Sequence, residues 1–253
     1  MSTLWYSTKK LIKSHVLVIG LLLAWQFSVQ FGLLPDYLLP SPWQIVLAFV
    51  NDFVLLMTHA KYTLATAFLG TGIGLVISFV LSIAMDMSKT IKQTVYPLIL
   101  LNQTIPTIAI APLLIIWLGY GITPKVVLVV LSVFFPITVA LVDGYQSVSR
   151  EHLNLFKSMQ ADKIDLYRHL KIPAAMPSFF TGLKVALSYA LISAVIAEWL
   201  GGYYGLGVYM TRVRKSYDLD SMFAVIFLIS VLTLLLIALV KWLERQVLKH
   251  EYQ

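Results

Sequence analysis

The chain has 253 residues, of which 59% are hydrophobic and only 12% charged, with mean hydropathy +0.83 and formal net charge +7. Soluble domains carry roughly 25% charged residues, so this composition excludes a chain solvated throughout. The absence of cysteine excludes disulfide and thiol chemistry.

A hydrocarbon core of about 30 Å needs roughly 20 apolar residues per crossing helix. Charge-free runs of that scale recur and predict an all-α integral membrane protein of about six transmembrane helices. They fall at residues 14–34, 62–85, 95–118, 125–142, 178–200 and 221–241, within a single transmembrane domain spanning 1–253. The first run follows Lys9, Lys10 and Lys13 as the apolar part of a signal peptide would. It is too long for one and no small-residue cleavage site follows, so it is expected to be retained.

After it comes "LPSPWQIVLAFVNDFVLLM", in which Ser41 suits a helix cap and Pro42 the first helical position. The apolar residues that follow are expected to lie along the membrane surface. In the second run Thr66, Gly70, Gly74, Ser78 and Ser82 recur every four residues, a small-residue stripe that lets helices approach closely. In the third, Asn102, Gln103, Thr104 and Thr107 lie near Pro106 and Pro112. Polar groups at membrane depth need protein or water beside them, so this cluster reads either as a translocation path or as helix-to-helix hydrogen bonding.

The largest piece between runs is the loop 143–177. Its first half, "REHLNLFKSMQ", predicts a short helix with Leu153, Phe156 and Met159 at spacings of three. Asp162 then resembles an N-cap with Asp165 three residues on. The following turn aligns Ile164, Tyr167 and Leu170, with Lys163, Arg168 and Lys171 elsewhere. Pro173 is expected to stop this helix, and Pro177 to fall in the first turn of the next. On these residues alone the loop reads equally as a docking knob or as a basic surface resting on lipid headgroups.

Glu198 is the single acid in the run 185–211. It reads as an ion-pair partner for a basic residue such as Arg212, or as an outer gate. With an inside N-terminus, 14 of the 19 lysines and arginines fall on the inner side: Lys9, Lys10, Lys13, Lys89, Lys92, Arg150, Lys157, Lys163, Arg168, Lys171, Lys184, Lys241, Arg245 and Lys249. The positive-inside rule then predicts N-in, C-in topology. The basic excess marks orientation in a lipid membrane and not nucleic-acid binding. His15, His59, His152, His169 and His250 show no metal-ligand spacing, and no phosphate-binding Gly-x-x-x-x-Gly-Lys-Ser/Thr is present. No catalytic residues are therefore predicted, and a pump built on this chain must borrow its energy.

The stretch "DKIDLYRHLKIPAAMPSFF" resembles the EAA loop of permease subunits of ATP-driven (ABC) importers that depend on a binding protein. Leu170-Lys171-Ile172-Pro173 stands where that loop reads I-x-L-P. Asn154-Leu155-Phe156 stands in place of E-A-A, and Gln160 in place of the loop's glycine, so the bend there must come from another residue conformation. "AEWLGGYYGLGVYM" is similar to the family's acidic, glycine-rich stretch. "LLPSPWQIVLAF" is similar to the segment after the first span in the nitrate, sulfonate, taurine and thiamine-precursor branch.

The resemblance implies a type I importer permease in a prokaryotic inner or plasma membrane, with a cytoplasmic coupling helix seated on an ABC ATPase. It implies Lys157, Gln160, Ala161, Asp162, Lys163, Ile164, Asp165, Tyr167, Arg168 and Pro173 as the ATPase-coupling residues. It implies two ATPase copies, a second permease copy as a homodimer, and an external substrate-binding protein. No cofactor would bind this chain; ATP and Mg would sit on the ATPase. "AEWLGG" and "YDLDSMFAVIFLIS" resemble most the permeases for thiamine pyrimidine precursors, with sulfonate, taurine or nitrate as the alternative substrates. From a different class, an ATP-independent secondary transporter or channel is the rival, although internal repeats and multiple embedded charges, which such proteins often show, are lacking here.

Overall fold

The computed structural model describes residues 2–35 and 38–249, with side chains from residue 16 onward. The side chains of Lys9, Lys10, Lys13 and His15, and His250, lie outside the described residues. All regular structure among the described residues is helical. In chain order the helices are α1 (Ser2–Gln30), α2 (Pro42–Asn51), α3 (Phe53–Met87), α4 (Lys89–Thr104), α5 (Thr107–Leu118) and α6 (Thr123–Gln146). Then follow α7 (Arg150–Ser158), α8 (Lys163–Leu166), a π turn (Tyr167–Lys171), α9 (Ile172–Trp199), α10 (Leu206–Lys215) and α11 (Leu219–Val247).

Four stretches are long and apolar enough to cross a membrane: α3, α6, the continuous Lys163–Trp199 helix and α11. A fifth crossing arises if α4 and α5, bent by 100° at their junction, count as one. The sequence predicts one uninterrupted helix over 95–118, and Pro106 is the reason it breaks. The residue before a proline is pushed out of the helical region. Ile105 accordingly sits at φ −83°, ψ 120°, with Pro106 itself extended at ψ 123°.

The chain divides into two compact units. One comprises Met1–Met57 and Met210–Leu228. There α2 opens as its residues predict: Ser41 Oγ accepts from the Gln44 amide, and the Gln44 side chain accepts from the Ser41 amide at 2.7 Å. The Gln26 side chain accepts from the Trp43 amide, and Trp25 stacks on Phe227 with ring centroids 6.3 Å apart.

The other unit, Thr58–Tyr209 with Ile229–Gln253, is built on the antiparallel pair α6 and α9. Lipid is as apolar as a leucine side chain, so helices associate here through close packing. Glycine supplies the closeness. A Cβ on Gly144 would meet Ala175 Cα at 2.7 Å, and one on Gly182 would strike Ala140 and Pro136. The stripe on α3 does the same against α6, with Gly70 facing Val129 and Gly74 facing Val133. Ser78 Oγ donates across to the Phe134 carbonyl at 3.0 Å. Val129, Val133, Ile137 and Leu141 on α6 with Ala186, Ala190, Leu191 and Ala194 on α9 form the dry centre.

Candidate functional site

Three polar constellations interrupt the apolar second unit, at its two ends and between them.

At one end lies the segment between α6 and α9. Ser149 caps α7. The helix closes at Met159, after which Gln160 adopts φ +55°. The Gln160 amide donates to the Lys157 carbonyl and the Ala161 amide to the Phe156 carbonyl, the paired bonds of a left-handed C-terminal cap. The bend that a glycine would supply is thus made by Gln160 itself. Asp162 caps α8 as its position predicts, accepting from the Asp165 amide at 2.7 Å.

Pro173 does not end the helix. Lys163 to Trp199 runs on as one helix, and Pro177 is interior to it. A proline at 173 orphans the carbonyl four residues back and crowds it. The π turn absorbs that defect by lengthening the preceding bond, so that the Ile172 amide reaches back five residues to the Tyr167 carbonyl.

The ten residues implied for ATPase coupling divide by exposure. Lys157, Gln160, Asp162, Lys163, Ile164, Asp165, Arg168 and Pro173 are exposed, and Ala161 is half-buried. Ile164, 73% exposed, stands out with Leu155 and Met159 as apolar side chains on an otherwise polar knob. Tyr167 turns inward. Its hydroxyl donates to Asp86 at the end of α3, its ring meets the edge of Tyr145 at 5.8 Å, and the Lys171 ammonium lies 5.1 Å from its ring centre. Lys171 also donates to Asp86, so one carboxylate oxygen holds both. Asp86 and Tyr145 are parts of this constellation that the sequence pattern does not disclose.

Between the ends, the break at Pro106 opens a cavity of about 350 Å³. Asn102, Gln103 and Thr107 line it, while Thr104 does not and turns its hydroxyl to the Leu101 carbonyl. The far wall comes from α6 and α9: Ser132, Phe135, Tyr189, Ile192 and Ser193. Asn102 donates to the Leu131 carbonyl at 3.0 Å, and Ser193 donates to Ser132, which donates to the Leu128 carbonyl. Irregular backbone at membrane depth is tolerated where it lines such a cavity. Gln103 and Tyr189 line it with side chains that have no hydrogen-bond partner among the described residues.

At the opposite end from the knob, Glu198 is 1% exposed. It accepts from Thr63 Oγ1 at 3.0 Å and from the Gly207 amide at 2.9 Å. Thr63 Oγ1 in turn accepts from the Leu206 amide at 2.8 Å, and His59 Nδ1 accepts from the Gly205 amide at 3.0 Å. Glu198, Thr63 and His59 therefore fasten the turn 205–207 to the start of this unit's share of α3. Gly205 has φ +125°, and a Cβ there would fall on the Glu198 carboxylate. Lys125 acts on Glu198 electrostatically. The alternative partner Arg212 belongs to the other unit.

Residues 70–249 match the family described as "Binding-protein-dependent transport system inner membrane component". The chain is 41% identical over 225 residues to the formylaminopyrimidine transport permease protein ThiX of Halalkalibacterium halodurans, covering 88% of this chain and 90% of that protein. It is 34% identical to a probable ABC transporter permease protein of Haemophilus influenzae, covering 92% of this chain and 96% of that one. Among solved structures, an inward-facing conformation of the MetNI methionine ABC transporter shares the fold, with TM-score 0.68 at 18% identity, over 77% of this chain and 96% of that one. The chain belongs to the family of binding-protein-dependent transport system inner membrane components and is an importer permease of the cell membrane.

Proposed function

We propose that this permease carries a small, flat, polar heteroaromatic solute, a pyrimidine precursor of thiamine, with ATP hydrolysed on partner subunits as the energy source. The observation that carries the substrate reading is the cavity at the α4–α5 break. Its size lies at the low end of ligand pockets, which run from about 300 to 1,000 Å³. Its walls combine the amides of Asn102 and Gln103 with the rings of Tyr189 and Phe135, groups that hydrogen-bond a ring edge and cover a ring face. The likeness to the formylaminopyrimidine permease supports the same class.

The exposed knob supports the partner reading. Leu155, Met159 and Ile164 stand clear among charged neighbours, the pattern of an apolar anchor with a polar rim that suits a protein groove. In this reading two ABC ATPases each seat one knob, two copies of the permease form the path, and an external binding protein delivers the solute. ATP and Mg belong to the ATPases. Alpha1 is the first of six spans and both chain ends face the cytoplasm. Rocking of the permease halves about the cavity gives alternating access.

The test is uptake by proteoliposomes holding the permease with its ATPase and binding protein. ATP-dependent accumulation of a formylaminopyrimidine, not displaced by excess taurine, is expected. Accumulation without ATP would overturn the energy reading. Taurine uptake in place of the pyrimidine would overturn the substrate reading.

A further inference from the structure

At the end of the second unit opposite the knob lies a second, larger cavity of about 630 Å³, lined by Tyr62, Tyr120 and Tyr204 around Lys125. Tyr62 stands on α3, 24 residues before Asp86, about 36 Å along a helix. That distance crosses a hydrocarbon core, so this cavity and the knob open on opposite faces of the membrane.

Lys125 is the unusual member. It is only 9% exposed, it lines the cavity, and its ammonium has no hydrogen-bond acceptor among the described residues. Glu198 acts on it through charge alone, with no hydrogen bond between the two, and accepts instead from Thr63 and the Gly207 amide. An ammonium in the wall of such a cavity can donate to an acceptor that enters it, and a charge-assisted bond formed there is stronger than a neutral one. The aromatic groups around it are suited to a flat partner. Tyr62 and Tyr204 stack face to face at 4.5 Å and 13°, and Tyr120 is largely free of contact, at 81% exposure.

We infer that this cavity is a receiving site for the transported solute: a planar heteroaromatic ring lies against the tyrosines while its carbonyl oxygen or ring nitrogen accepts from Lys125. The solute occupies it on release from the binding protein, before reaching the cavity at the α4–α5 break. This assignment rests on the heteroaromatic reading of the substrate above. The two sites divide the work. The receiving site offers a single charged donor and broad ring faces, which tolerate several orientations, while the inner cavity offers the amides that discriminate ring edges.

The cysteine-free chain permits a direct test. Ile122 lines the receiving site and Ile192 the inner cavity, and both are about half exposed. Single Ile122→Cys and Ile192→Cys chains, assembled with their ATPase in nanodiscs, are labelled with a maleimide in the presence of a formylaminopyrimidine. The pyrimidine is expected to protect the Ile122→Cys chain from labelling. The half-protecting concentration should rise at least about tenfold with Lys125→Met, the loss of a charge-assisted bond, and about fivefold with Tyr120→Ala, the loss of a stacking face. Tyr120→Ala, at an exposed position, keeps the test decisive if Lys125→Met fails to fold. No protection at Ile122→Cys, or protection indifferent to Tyr120→Ala, overturns the receiving site, even where ATP-driven uptake of the pyrimidine is intact. Protection at Ile122→Cys that depends on Tyr120, in an assembly that takes up no pyrimidine, sustains the site and overturns the transport reading alone.

Discussion

Tyr167, in the π turn, donates its hydroxyl to Asp86 at the end of α3, and Lys171, one turn on, donates to the same carboxylate oxygen. The Lys171 and Asp86 side chains are only 14% and 9% exposed. The knob is thereby tied to α3 by a buried ion pair and a phenol, in addition to its own continuation into α9.

The clamp predicts an asymmetry between single and paired substitutions. Asp86→Leu, like Lys171→Leu, leaves its buried partner without a charge to pair with, and breaking such a pair costs about 3–5 kcal/mol. Replacing both, Asp86→Leu with Lys171→Leu, removes the stranded charge and should recover much of that loss. Thermal unfolding in detergent of the two singles and the double gives the coupling. Equal melting losses that simply add would show that the pair carries no coupling.

Ile164→Asp should leave stability within about 0.5 kcal/mol, as exposed substitutions do, because Ile164 is 73% exposed. Co-purification of the ATPase should nevertheless fall sharply. Tyr167→Phe should do the reverse: the ATPase stays bound while ATP hydrolysis per solute imported rises, since one of the two ties to Asp86 on the inner side of the knob is cut and only the Lys171 ion pair remains. If Ile164→Asp retains a stoichiometric ATPase, the knob is an ordinary basic surface.

Gln160 offers a gain. A side chain in the left-handed region costs roughly 1–2 kcal/mol, and Gln160 at φ +55° bears it. Gln160→Gly should slow hydrogen exchange of the Ala161 amide, whose bond to the Phe156 carbonyl closes the cap. Gln160→Val should hasten it, because a β-branched residue resists positive φ more strongly.

The parts of this site that were legible in the sequence are those decided within one or two turns. Ser41 and Asp162 cap helices because a short polar side chain before a helix has a nearby amide to satisfy. The need for some special conformation at Gln160 was visible from the absent glycine. Pro173 was misleading because the rule for a proline assumes an α-helical turn before it, and here that turn widens to π geometry. The break at Pro106 was obscured because the charge-free run 93–124 continues across it. Asp86 and Lys171 stand 85 positions apart, and Tyr189, Ser132 and Ser193 reach the inner cavity from two other helices. No spacing along the chain encodes such meetings; they follow from how α3, α6 and α9 pack.

Gly205 is the position where packing leaves least freedom. Its φ of +125° is one that side chains avoid, and an added Cβ would land on the Glu198 carboxylate. Gly205→Ala must therefore shift either the turn 205–207 or the carboxylate, and the carboxylate cannot move without releasing Thr63 and the Gly207 amide. A backbone strain of this kind costs about 1–3 kcal/mol, and an unsatisfied buried carboxylate adds to it. Glu198→Gln is the milder change, since the amide oxygen still accepts one of those bonds. Hydrogen exchange of the Gly205, Leu206 and Gly207 amides should rise strongly in Gly205→Ala and modestly in Glu198→Gln. Were the two alike, with both near the unaltered chain, the buried carboxylate would not be what fastens this turn to α3.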